Sequence, residues 1–152
     1  MADNVTLNAG SGGDTIAADD VSGVKYQIVK IAPGGDGAAS LGGGTVHTKS
    51  SAATTNATSV KASAGVVYHL SVTNTNSSPR YIRFYNKASA PTVGTDTVVY
   101  GLAIPGSGGA TINFTYGLPF TTGIAYSLTT GAADTDTTAV AADEVKVNVV
   151  YV

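Results

Sequence analysis

The sequence has no cysteine and no tryptophan, and only 12% of its 152 residues are charged. Without cysteine, disulfides and thiolate metal sites are excluded, so stability has to come from apolar burial and from contacts with other chains. The charged share is about half that of an ordinary soluble domain. Eight basic residues stand against ten acidic ones. No cluster of Lys and Arg can neutralise a phosphate backbone, so nucleic acid is not an expected partner. No apolar run approaches the roughly 20 residues of a membrane-spanning helix. The opening MADNVTLNAGSGG lacks the basic start and apolar core of a secretory signal. The expectation is a soluble chain made in a cytoplasm, with no membrane partner.

What fills the gap is Thr, Ser, Asn, Ala and 19 glycines, a composition suited to short strands and tight turns and poor for helices. From Ala64 onward, residues alternate with period two. Val66, Tyr68, Leu70 and Val72 share one face. Asn74–Pro79 then reads as a turn, because Asn and Ser bond their own backbone and Pro lacks a ladder donor. Ile82 and Phe84 oppose Tyr81, Arg83 and Tyr85. Further strands carry Val98, Tyr100, Leu102 and Ile104; Ile112, Phe114 and Tyr116; Ile124, Tyr126 and Leu128; and Val145, Val147, Val149 and Tyr151. A short strand at Thr58–Ala62 precedes them.

About seven closely spaced strands with one apolar face predict an all-β fold, an antiparallel two-sheet β-sandwich. Jelly-roll and immunoglobulin-like topologies both satisfy the pattern. The expected core is Val66, Tyr68, Leu70, Ile82, Phe84, Leu102, Ile112, Phe114, Ile124, Leu128, Val147 and Val149. Asp134–Glu144 reads equally as a loop or a helical turn. Residues 1–44 differ: strand-like Val5–Leu7 and Val24–Ile31 are interrupted by glycine runs, and Pro33–Gly44 has too little apolar content to fold by itself. This predicts an extended N-terminal arm over 1–44 and a sandwich domain over 45–152.

Chemistry-bearing residues are few. The two histidines, His47 in a Ser/Thr-rich stretch and His69 on the polar face of a strand, stand in no motif with a serine or carboxylate. No catalytic residue, cofactor site or metal site is assigned. Asp134, Asp136, Asp143 and Glu144 supply oxygen ligands but lack calcium-loop spacing, so a solvated loop is the preferred reading. Arg80, Arg83 and Lys87 among Tyr81, Phe84 and Tyr85 make the densest basic and aromatic cluster, and from it Arg80, Tyr81, Arg83 and Tyr85 are taken as residue types favoured at interface hot spots. With Val24, Tyr26 and Ile28 of the arm, they form the candidate interface.

RYIRFYNKASAPTVGTDT (Arg80–Thr97), followed by GLPFTTGIAYSLTTGAADTDTTAVAADEVKVNVVYV (Gly117–Val152), resembles a group of small proteins encoded by tailed bacteriophages and prophages. ADDVSGVKYQIVKI (Ala18–Ile31) looks like the start of many phage virion proteins. The resemblance implies a virion structural protein assembled in the host cytoplasm, and no family active site to carry over. Small phage decoration proteins are often jelly rolls. The expected function is therefore a capsid decoration or cement protein bound to the major capsid protein or other virion proteins. A homo-oligomer is expected, with a trimer first because threefold positions abound on icosahedral shells. The alternatives are a tail, baseplate or fibre-base component, and a carbohydrate-binding host-attachment module with Tyr81 and Tyr85 as its aromatic platform.

Overall fold

A computed structural model describes residues 3–6, 15–27 and 44–152. The chain divides into two compact units, Met1–Gly42 and Gly43–Val152.

The described part of the first unit is a three-stranded antiparallel sheet in the order β1-β2-β3, formed by β1 (Asp3–Thr6), β2 (Thr15–Val21) and β3 (Val24–Gln27). Ser22 (φ 55°) and Gly23 (φ 83°) make the β2–β3 turn. Two consecutive left-handed residues give the turn whose twist matches that of paired strands. The register sets Val21 against Val24 and Asp19 against Tyr26. The first expected strand is displaced to Asp3–Thr6, and β3 covers the beginning of Val24–Ile31. Ile28 and the rest of that stretch lie outside the described residues. Sequence reasoning missed β2 because neither alternate set in TIAADDV is apolar.

The second unit is all β, with no helix among the described residues, and consists of two four-stranded antiparallel sheets packed as a sandwich. Its strands are β4 (Thr45–Ser50), β5 (Thr58–Lys61), β6 (Gly65–Asn74), β7 (Arg80–Asn86), β8 (Tyr100–Ile104), β9 (Gly108–Phe120), β10 (Ile124–Thr129) and β11 (Val145–Tyr151). One sheet has the order β4-β11-β6-β9 and the other β5-β10-β7-β8. The second half of the chain thus retraces the first in reverse: β11 pairs with β4, β10 with β5, β9 with β6 and β8 with β7. Asp134–Glu144 forms no helix.

β4 forms in the Ser/Thr-rich stretch around His47, where the sequence showed no strand. It is an edge strand whose inward positions are His47 and Lys49, so it shows no apolar stripe. Polar inward residues on an edge also discourage pairing with stray strands. His47 Nε2 lies 3.2 Å from the Tyr126 hydroxyl, and Lys49 Nζ donates to Thr58 Oγ1 at 2.8 Å.

The core between the sheets is built from Val67, Leu70 and Val72 of β6, Ile82 and Phe84 of β7, Ile104, Phe120, Ile124, Tyr126 and Leu128, and Val145, Val147 and Val149 of β11, with Val140 from the preceding loop. Leu102 and Phe114 pack against it, partly buried. Leu70, Ile82, Phe84, Ile124, Leu128, Val147 and Val149 are core residues as alternation predicts. Ile112 and Val66 are only partly buried, and Tyr68 is 40% exposed while Val67 is fully buried. The reversal in β6 comes from a β-bulge at Tyr68, which has no partner in the register with β9 or with β11. One extra residue swaps inward and outward positions on its N-terminal side.

Candidate functional site

The Arg80–Tyr85 cluster lies on β7, next to the β8 edge of its sheet. Ile82 and Phe84 point into the core, so Tyr81, Arg83 and Tyr85 point to the outer face. Loops cover that face. Arg83, 2% exposed, donates from Nε to Asp134 Oδ1 at 3.0 Å and from Nη2 to the carbonyls of Gly131 (3.0 Å) and Ala133 (2.6 Å). Its Nη1 donates to Thr129 Oγ1. A planar guanidinium with five donors is the side chain able to satisfy several loop carbonyls at once. Tyr85, also buried, meets Ser127 Oγ at 3.0 Å through its hydroxyl. Arg80 is ion-paired with buried Glu144, whose other oxygen accepts from Ala141 N at 2.7 Å. The Arg80 Nε has no partner among the described residues.

Of the expected interface on β7, only Tyr81 therefore keeps open surface. Arg80, Arg83 and Tyr85 are committed to contacts within the chain. Tyr81 and Arg83 line a cleft of about 260 Å³ with Ile82, Gly101, Leu102, Ala103, Ala132 and Asp134. Arg83 sits 5.7 Å from the centroid of the Tyr81 ring. The cleft's cation and anion are bound to each other, which leaves it little charge with which to grip a ligand. Of the arm residues, Val24 and Tyr26 are exposed by 54% and 57%, beside Val21 at 53%. The cross-strand register places all three on one face of the β2–β3 hairpin.

The acidic residues are largely partnered. Asp134 meets Arg83, and Asp136 Oδ2 accepts from Gly131 N at 2.8 Å and Thr138 Oγ1 at 2.7 Å. These bonds, Thr138's foremost, hold the Asp136 carboxyl below its ordinary range, and the Arg80 hydrogen bond does the same for Glu144. Among the described residues no three His, Cys, Asp or Glu side chains converge as metal ligands. Among the described residues no helix is long and apolar enough to cross a membrane.

Among the described residues neither histidine is bonded to a serine or a carboxylate. Burial, aided by the Lys49 charge, lowers the pKa of His47, and burial pushes the Tyr126 hydroxyl up to about 12. That pair is a neutral interior contact. His69 Nδ1 is 2.7 Å from Asn113 Oδ1 on the outer surface of the β4-β11-β6-β9 sheet. Tyr68 on β6 and Tyr116 on β9 are exposed by 40% and 96%. Sequence reasoning placed both with apolar strand faces. The signal it passed over is Gly117, an isolated glycine within a strand pattern and a common mark of a bulge.

Comparison of this chain with protein-family models, with curated proteins and with solved structures finds no match.

Proposed function

We propose that the protein is a non-catalytic structural component of a bacteriophage virion, a decoration or cement protein that stabilises an assembled head through contacts between subunits. The observation carrying this reading is the exposed apolar group at the tip of the β2–β3 hairpin. Val21, Val24 and Tyr26, each more than half exposed, are surface that gains by burial against another chain. Apolar area removed from water contributes about 25 cal/mol per Å², and many copies on a shell multiply a modest contact. Two further points support the assignment. One is the resemblance of Arg80–Thr97 and Gly117–Val152 to small phage proteins.

The other is the strand order. Subtracting three from each label of the sandwich turns β4-β11-β6-β9 and β5-β10-β7-β8 into 1-8-3-6 and 2-7-4-5. We read this order as one long antiparallel hairpin wrapped into two sheets, which supports the double Greek key of a jelly roll. An immunoglobulin-like order would place strands A, B, E and D in one sheet and C, F and G in the other.

The test is co-sedimentation with heads lacking the protein. The Val24→Thr/Tyr26→Thr double variant keeps strand-compatible residues at exposed positions and should fold as the wild type does. It is expected to bind heads at least about tenfold more weakly, the loss that follows removal of an interface anchor. Equal binding by both would remove the hairpin from the assembly mechanism. Attachment to purified tails and not to heads would favour the tail or baseplate alternative.

A further inference from the structure

An edge strand exposes unpaired backbone N–H and C=O groups, and folded proteins protect it by shortness, charge, Pro or a covering segment. Three of the four edges of the sandwich follow this rule. β4 turns His47 and Lys49 inward, β5 spans four residues and carries Lys61, and β8 spans only five. β9 does not follow it. It runs for 13 residues at the end of its sheet and pairs, among the described residues, only with β6. The sequence has no charged residue from Thr97 to Ala133, so neither β8 nor β9 carries a charge to repel a further strand. Pro119 blocks a ladder only near the end of β9.

The core is also left open along this flank. Ala110, Phe114 and Leu118 of β9, with Tyr100 and Leu102 of β8, pack on the core yet stay partly exposed. Ile112 is likewise only partly buried. On the opposite flank the His47–Tyr126 and Lys49–Thr58 contacts tie the two sheets together. A strand added beside β9 would pair its free backbone groups and remove these apolar side chains from water.

The residues of β9 indicate which strand that is. Within it, residues 109–117 read GATINFTYG, a pattern of like residue types from either end about Asn113. Antiparallel pairing with a second β9, on a two-fold axis at Asn113, sets Thr111 against Thr115 and Ile112 against Phe114. It also sets Gly109 against Gly117 and Ala110 against Tyr116, which is 96% exposed. Thr111, Asn113 and Thr115 are exposed, so Thr meets Thr on the outer face while Ile meets Phe on the core side. Such cross-strand pairs are the favourable ones, and a two-fold axis makes each of them twice. A strand from an unrelated protein would require no such symmetry. We propose that β9 is a homodimer interface, pairing with β9 of a second copy about Asn113 and joining two four-stranded sheets into one. The proposal does not rest on the virion reading, and it sets a two-fold pair in place of the expected trimer.

The experiment is sedimentation velocity of the full chain from about 1 to about 100 μM, with two double variants at outer-face positions. Thr111→Lys/Thr115→Lys sets Lys against Lys at both places where these residues meet. Thr111→Lys/Thr115→Glu sets Lys against Glu at the same places. Within one chain the two positions are about 13 Å apart along the strand, so neither variant forms a pair of its own. The wild type is expected to be dimeric in this range. At low salt the Lys/Glu variant should dimerise about tenfold more tightly than the Lys/Lys variant, and added salt should narrow that difference. A wild type that is still monomeric at about 100 μM, or that forms a trimer, would overturn the proposal. Equal association of the two double variants would do so too, since any contact between copies would then lie away from this register.

Discussion

At the scale of single residues, Arg83 shows how little a charged side chain in a strand says about the surface. It is buried not against the core but beneath a loop whose carbonyls it binds. Its ion-pair partner Asp134 has a side chain 72% exposed, so solvent screens the charge attraction and the carbonyl and hydroxyl bonds carry most of the effect. Arg83→Leu should destabilise the protein by about 2–4 kcal/mol, because Gly131 and Ala133 lose a buried donor. Asp134→Ala should cost less than about 1 kcal/mol. Urea unfolding of both variants checks the ordering; equal effects would mean that the ion pair dominates. Alternation told correctly which side of β7 Arg83 and Tyr85 occupy. It could not tell that residues 131–134, about fifty positions later in the chain, return to cover that side.

At the scale of elements, the interruptions separate this sandwich from the one alternation predicts. Seven of the twelve expected core residues are in the core, and the clearest departure, Tyr68, sits at the β6 bulge. Gly117 is where β9 accommodates that bulge. Gly117→Ala would place a Cβ in the left-handed region and against Val66, and should cost about 1–3 kcal/mol. Gly101→Ala is the natural comparison: it lies on β8 with nothing within 4 Å of a new Cβ, and should be neutral or slightly stabilising. Thermal unfolding of the pair decides the matter, and similar melting temperatures would contradict the bulge's backbone requirement. β4 was hidden for a different reason. A strand whose inward side chains are His47 and Lys49 carries no apolar period, and only its pairing with β11 identifies it.

At the scale of the whole molecule, stability should depend on pH in one direction. The Lys87 hydrogen bond depresses the Asp96 carboxyl, as Thr138 does for Asp136 and Arg80 for Glu144. A depressed carboxyl contributes stability that is present above its ordinary value, 3.8 for Asp and 4.5 for Glu, and lost as pH falls through the folded value. His47 acts in the same sense: its folded pKa lies below 6.5, so its contribution is present above that value and fades on acidification. The urea midpoint should therefore rise from about pH 3 to about pH 7. Glu144→Gln should flatten the acid limb, and an unchanged profile would show that the Arg80 pair is not linked to folding.

The sequence by itself determined the all-β class, the positions of most sandwich strands and much of the core, because these follow from a period of two and from turn residues acting over a few positions. Only the tertiary structure decided that β11 lies between β4 and β6, that loops seal Arg83 and Tyr85 inside, and that Tyr68 and Tyr116 turn to solvent. Each of these depends on residues far apart in the chain meeting in space, or on one unpaired residue reversing a strand's faces, and a local period records neither.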